Sequence, residues 1–169
     1  QGNSTNSSLG EYNDDISKLG RKYRTEVRSL GQAVYSKTIN KWDKTDIGNG
    51  RSFVKLIQTT NLTLDGNSSH TDKAESYGYE DTNGNQTSIT QWGVVNANND
   101  GSFTDTDTDK YSTTISYVSN TSNGVIGLPA TETTLDQSTN KVKETIHYYD
   151  NQALGQVGNG NETKTQFWR

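Results

Sequence analysis

Three acidic residues alternate in Asp105-Thr106-Asp107-Thr108-Asp109, just after Asn99-Asp100-Gly101-Ser102. Alternate carboxylates on an extended or looped backbone can converge their oxygens, and a flexible set of hard oxygen ligands is what Ca²⁺ takes. Without a cation, three such carboxylates repel one another. The run lacks the central Gly and the late Glu of an EF-hand loop, so a solvated acidic loop is its other reading. No Cys is present, which excludes a disulfide, a cysteine nucleophile and a thiolate-bound metal. His147 stands beside Tyr148 and three residues before Asp150, and a His–Asp pair can act as a base with its orienting group. No Ser, Thr or Cys sits in an elbow-like motif to supply a nucleophile. His147 therefore reads as structural or exposed, and so does His70 in Asn67-Ser68-Ser69-His70-Thr71-Asp72. No pair of acids is nominated for glycoside hydrolysis, whose carboxylates are set by spatial separation. The expectation is a non-enzymatic chain without a cofactor, calcium at Asp105, Asp107 and Asp109 being the one candidate.

Trp42, Trp92 and Trp168, with the nine Tyr, could stack on sugar rings or pack on a sheet face. Trp42-Asp43-Lys44-Thr45-Asp46-Ile47-Gly48-Asn49-Gly50 reads as a turn capped by Asp. Asn3, Asn6, Asn61, Asn67, Asn85, Asn120 and Asn161 each open an Asn-x-Ser/Thr sequon. A chain this rich in Asn, Ser and Thr produces many by chance.

These side chains sit in a chain of 169 residues with net charge -4, long enough for one domain or two small ones. Leu, Ile, Val and Phe number only 29, whereas Thr, Asn, Ser and Gly number 75. The aliphatic share borders on that of disordered chains, but the low charge and fifteen aromatics argue for a folded protein with a thin core. The acidic balance and absence of a basic tract argue against nucleic acid. No apolar run is long enough for a membrane span. Gln1, with no initiating Met or signal peptide, is expected to be a processed or excised start.

Thr and aromatics favour strands, and Gly, Asn, Asp and Ser favour turns, so the pattern predicts an all-β protein of antiparallel hairpins. Tyr111–Val118 alternates, with Tyr111, Thr113, Ile115 and Tyr117 on one face. Lys141–Tyr149 places Val142, Ile146 and Tyr148 together. Gln86–Trp92, Phe53–Leu64 (a central strand) and Thr163–Trp168 complete the clear strands. Arg24–Leu30 and Gln32–Trp42 form a hairpin through Ser29-Leu30-Gly31-Gln32, with Gly31 at positive φ. Residues 1–23 read as a polar loop with one short helix or a plain loop at Glu11–Gly20. Gln1–Gly10 and Asn96–Thr108 read as polar loops, and residues 24–169 as hairpin repeats of a single segment. The last strand runs to the chain end, which suggests a piece of something longer.

Two segments share an order of strand, aromatic-acid pair, Gly-bearing turn and polar strand. One is Tyr77-Gly78-Tyr79-Glu80-Asp81-Thr82-Asn83-Gly84-Asn85. The other is His147-Tyr148-Tyr149-Asp150-Asn151, continuing to Leu154-Gly155-Gln156-Val157 and Gly160-Asn161. In a stacked hairpin the Tyr covers a neighbour, the acid caps the turn, and Gly-Asn takes the corner. Here the chain resembles the Rhs/YD-repeat family of bacterial Rhs toxins, insecticidal toxin-complex proteins and teneurins. Tyr149-Asp150 is the closer match, and Tyr79-Glu80 has Glu for Asp. Gln1–Trp42 is similar only in texture to spacer regions of such chains. The resemblance implies a spiralling hairpin sheet that closes into a shell around a cargo domain. Its partners would be the rest of a longer β-repeat chain or like subunits, and its setting secreted or on a bacterial cell surface. The turn roles would fall to Tyr79, Glu80, Gly84, Asn85, Tyr149, Asp150, Gly155 and Gly160. The family's autoproteolytic core has no counterpart here. The rival expectations are an extracellular adhesin or fibre subunit polymerising by strand addition, and a calcium-assisted carbohydrate-binding module.

Overall fold

The computed structural model describes residues 15–66 and 68–168. Its strands are β1 (Arg24–Arg28), β2 (Val34–Asp46), β3 (Ser52–Thr63), β4 (Thr71–Tyr79), β5 (Gln86–Ala97), β6 (Phe103–Asp105), β7 (Tyr111–Asn120), β8 (Val125–Asp136), β9 (Lys141–Tyr149) and β10 (Glu162–Phe167). The protein is all-β. Hydrogen bonds join the strands in the order β1-β2-β3-β4-β5-β7-β8-β9-β10, and β6 pairs with β5. The chain divides into two compact units. One takes the residues up to Tyr77 together with Gln91–Asp109, and the other takes Gly78–Thr90 and the residues from Lys110 on. Among the described residues no helix is long and apolar enough to cross a membrane.

In the first unit, antiparallel partners project to one face of the sheet. Ile39 pairs with Thr60, and Thr60 with Ala74. The neighbouring row is Lys37, Leu62 and Asp72. Ile39, Leu62, Ala74, Val95 and Ala97 are buried, with Leu64, Trp92 and Phe103 packed against them. Gly93 at φ 67 bends β5, which brings Trp92 and Val95 into one cluster although they are three residues apart. Among the described residues no second sheet covers this cluster. The β5–β6 connection does: Gly101 lies so close that a Cβ there would stand 2.8 Å from Ile39 Cγ2. Asn96–Thr108, expected as a polar loop, thus holds β6 and roofs the core. It is polar because its carbonyls accept from Gln58, Thr60 and Arg24 of the strands, Asp100 and Asp107 bond within the loop, and its outer side is wet.

Two other local expectations change here. In the β1–β2 hairpin it is Gln32, at φ 68, that takes the left-handed position, not Gly31. Ser29 N–H bonds to Ala33 O at 2.9 Å and Gln32 N–H to Ser29 O at 3.0 Å. The loop is a three-residue one whose third residue is left-handed, and Gly31 falls on its second. The expected helix is a single 3-10 turn, Ile16–Lys18, capped by Asp15, and Glu11–Asp14 lie outside the described residues. Ile16 and Leu19 are 87% and 71% exposed, so no buried stripe supports a longer helix. Gln1–Gly10, expected as a loop, also lies outside the described residues.

The second unit uses the same device. Val118, Ala130, Tyr149 and Val157 are buried, with Val125 and Leu128 against them. Val157 belongs to no strand. It is carried by the long β9–β10 connection, which folds back over the sheet. On β9 the inner residues are therefore Thr145 and Tyr149. The expected row of Val142, Ile146 and Tyr148 takes the opposite face, where Val142 is 42% exposed. Along β7, Thr113, Ile115 and Tyr117 are half-buried as alternation requires, and a bulge after Ser116 precedes buried Val118. Strand β8 was not foreseen, because it holds the chain's one Pro. Pro129 sits opposite Tyr117 beside that bulge, where a sheet tolerates a missing N–H.

Candidate functional site

The most organised side-chain cluster in the second unit is built around Tyr149-Asp150. Tyr149 ends β9, is 5% exposed, and donates its hydroxyl to Pro129 O at 2.7 Å. Burial pushes this phenol's pKa up, with a smaller push from Glu162. Asp150 turns the chain at φ 52. Its Oδ2 accepts from the N–H groups of Gly158 at 2.8 Å and Gly160 at 2.9 Å. Its Oδ1 accepts from Asn161 N–H at 3.2 Å and Asn161 Nδ2 at 3.1 Å. These donors, Gly160 N–H first, hold the carboxyl below its ordinary pKa. Asn120 Nδ2 donates to Val157 O at 3.1 Å and Asn123 Nδ2 to Gly158 O at 3.0 Å, tying the connection to the end of β7. Gly155 and Gly160 both hold positive φ, at 83° and 85°. A Cβ on Gly160 would stand 3.1 Å from Leu128 Cδ1.

The Tyr79-Glu80 turn is simpler. Glu80 N–H bonds to Asn85 O at 2.9 Å and Gly84 N–H to Glu80 O at 3.1 Å, with Gly84 at φ 76. Glu80 Oε1 accepts from the side-chain amides of Asn83 and Asn85 and, unlike Asp150, accepts from no backbone N–H among the described residues. Tyr79 is half-buried, which raises its pKa. The two segments share their order of residue types, but one is a tight turn and the other a long connection stapled by a carboxylate.

Two of the three alternating aspartates are engaged by nearby backbone N–H groups, and the third, Asp105, has a buried Oδ1 with no hydrogen-bond partner among the described residues. Both Asp109 oxygens accept from Val94 N–H, at 3.2 and 3.1 Å. Asp107 Oδ1 caps Thr108 N–H at 2.7 Å. Asp105 lies in β6 opposite Val95. Among the described residues no group of three His, Cys, Asp or Glu could hold a metal ion.

His147 pairs with Glu162 across β9 and β10, Nδ1 to Oε1 at 3.1 Å, and not with Asp150. Trp42 donates Nε1 to Lys22 O at 2.9 Å under the Arg21 guanidinium, 5.2 Å from its ring. Trp92 donates to Ser76 Oγ at 2.8 Å and meets Phe103 edge-on at 5.4 Å. Trp168 is 48% exposed, with Lys141 Nζ 5.4 Å from its ring. Each indole thus has its own local partner. Of the sequon residues, the amides of Asn85, Asn120 and Asn161 serve the turns already described, and Asn61 accepts from Thr38 at 2.8 Å. Asn3, Asn6 and Asn67 lie outside the described residues.

One pair was missed by the sequence reading. His70 Nδ1 donates to Asp72 Oδ1 at 2.6 Å, and Asp72 is 2% exposed. The signal was spacing: residues two apart on an extended chain share a face. No protein-family model matches the chain, and no curated protein matches it.

Proposed function

We propose that this chain is a non-enzymatic structural segment of a larger secreted or surface protein, a stretch of wall or stalk that encloses or displays another domain, of the kind the Rhs/YD resemblance implies. The observation that carries the reading is the Tyr149-Asp150 connection. A tyrosine seals the sheet, an aspartate staples the turn through backbone N–H groups, and glycines take the left-handed corners. Every polar group that makes this cluster conspicuous is spent on holding a hairpin. Strands added in chain order and roofed by their own connections suit a wall built by repetition. The exposed face of β10, six residues in a row, favours a second reading as a subunit that adds strands from its neighbours.

Intact mass and negative-stain electron microscopy of the native material test both. A parent chain far longer than 18.6 kDa, seen as a hollow ellipsoid, supports the wall. A native chain ending near Arg169 overturns it, and filaments with a regular repeat then support the fibre.

A further inference from the structure

A pocket of about 320 Å³ opens on the roofed face of the first unit, at one end of its core. Leu62 and Ala97 form apolar lining, and Lys37, His70, Asn98 and Asn99 bring polar groups to it. The size is that of a small-molecule site with an apolar floor and a few convergent polar groups.

The polar groups are held in place from behind. Asp72 is buried and has both oxygens engaged, Oδ1 by His70 Nδ1 at 2.6 Å and Oδ2 by the Ala97 N–H at 2.8 Å. A carboxylate only accepts, so His70 carries its proton on Nδ1. That fixes the ring and leaves Nε2 without a hydrogen-bond partner among the described residues. Across the same row, Lys37 Nζ donates to Asn99 Oδ1 at 2.6 Å. It has no carboxylate within ion-pair distance among the described residues. Burial lowers the pKa of this ammonium, and Arg24 and Arg28 lower it further against the opposing pull of Glu26. Glu26 is shared between Arg24 and Arg28, one carboxylate for two guanidinium groups. In a chain of net charge -4, this corner carries more fixed positive than negative charge.

A half-buried ammonium without a carboxylate at ion-pair distance, beside two carboxamides, has the donor set of an oxyanion site, and the oriented imidazole adds an acceptor at Nε2. We infer that the pocket binds a small organic anion, a carboxylate or phosphate head with a short apolar body. Lys37 Nζ makes the charge contact, and His70 Nε2, held by Asp72 and left as an acceptor, accepts from a hydroxyl of the bound molecule, such as that of a hydrogen-phosphate head. Leu62 and Ala97 take the apolar body. This binding is independent of whether the chain is part of a wall.

The test is titration of the full chain with benzoate and, separately, with inorganic phosphate, followed by amide and side-chain NMR shifts. Saturable shifts centred on Lys37, His70 and Asn99 are expected with at least one of the two, and which one saturates names the head group. Lys37→Met should weaken that binding by about tenfold or more, the loss of one charge-assisted contact, and Lys37→Arg should retain most of it. The circular dichroism spectrum of each variant confirms its fold. His70→Gln should weaken binding less than Lys37→Met. Absence of saturable shifts with both probes, or equal binding by folded Lys37→Met, overturns the inference.

Discussion

The buried hydroxyl of Thr60 donates to the carbonyl oxygen of Gly101 at 2.9 Å, joining the middle of the first unit's sheet to the loop that covers it. Gln58 Nε2 donates to the same oxygen. Thr60 is fully buried, so the hydroxyl has no water to turn to. Thr60→Val keeps the shape and removes the donor, and should cost about 1 kcal/mol. Urea denaturation checks this through a lower midpoint with an unchanged slope.

Two glycines separate backbone strain from contact with the sheet. Gly101 has φ 78 and would place a Cβ 2.8 Å from Ile39 Cγ2, whereas Gly155 has φ 83 with nothing within 4 Å. Gly155→Ala should cost about 1–2 kcal/mol, the strain of a left-handed non-glycine residue. Gly101→Ala should cost that and a further 1–3 kcal/mol or so from overpacking. Equal midpoints for the two variants would contradict the roofing role of the β5–β6 connection.

Asp150 should make stability fall on the acid side. Its folded pKa lies below the ordinary 3.8, because backbone N–H groups favour the charged form. Its contribution is therefore complete above the unfolded value and is lost as pH falls through the folded one. Asp150→Asn should be less stable than the parent at neutral pH, and the gap should narrow below about pH 4. Denaturation midpoints for both proteins across that range give the comparison, and parallel curves would be the wrong outcome.

In the second unit, Tyr149→Phe should lose about 1 kcal/mol with its bond to Pro129 O. Val157→Ala should lose about 2 kcal/mol by emptying the space under the β9–β10 connection. Both side chains belong to one cluster, so the double variant should depart from additivity. Thermal or urea midpoints of the three variants measure the coupling.

Strand existence was legible because period two and turn residues are local signals. Tyr111–Val118, Lys141–Tyr149 and Phe53–Leu64 all fall within or nearly on strands. Which face is inner was not legible on β9, since Val142 and Ile146 are the more apolar choice by type. The long connection roofs only the side that carries Thr145 and Tyr149, and that is a tertiary fact. Asn96–Thr108 misled for the same reason: its polar residues describe its wet side and its hydrogen bonds, not the Gly101 backbone lying on Ile39. At the sites, Asp150 could be picked out by its neighbours in sequence. His147 could not be assigned to Glu162, because their pairing depends on strand register. Lys37 lies far from His70 in sequence and gave no local sign of sharing a pocket with it.

The chain-order pairing of the strands has a consequence for how the protein forms. Apart from the detour around β6, each strand docks on the one made just before it. Loop-closure entropy at each step is that of a single connection between neighbouring strands, and it grows only slowly with the length of that connection. Sheets whose partners are distant in sequence fold slowly because those closures come first. Here the sheet can lengthen one hairpin at a time behind an emerging N-terminus, with each roofing connection settling once the strands beneath it are in place.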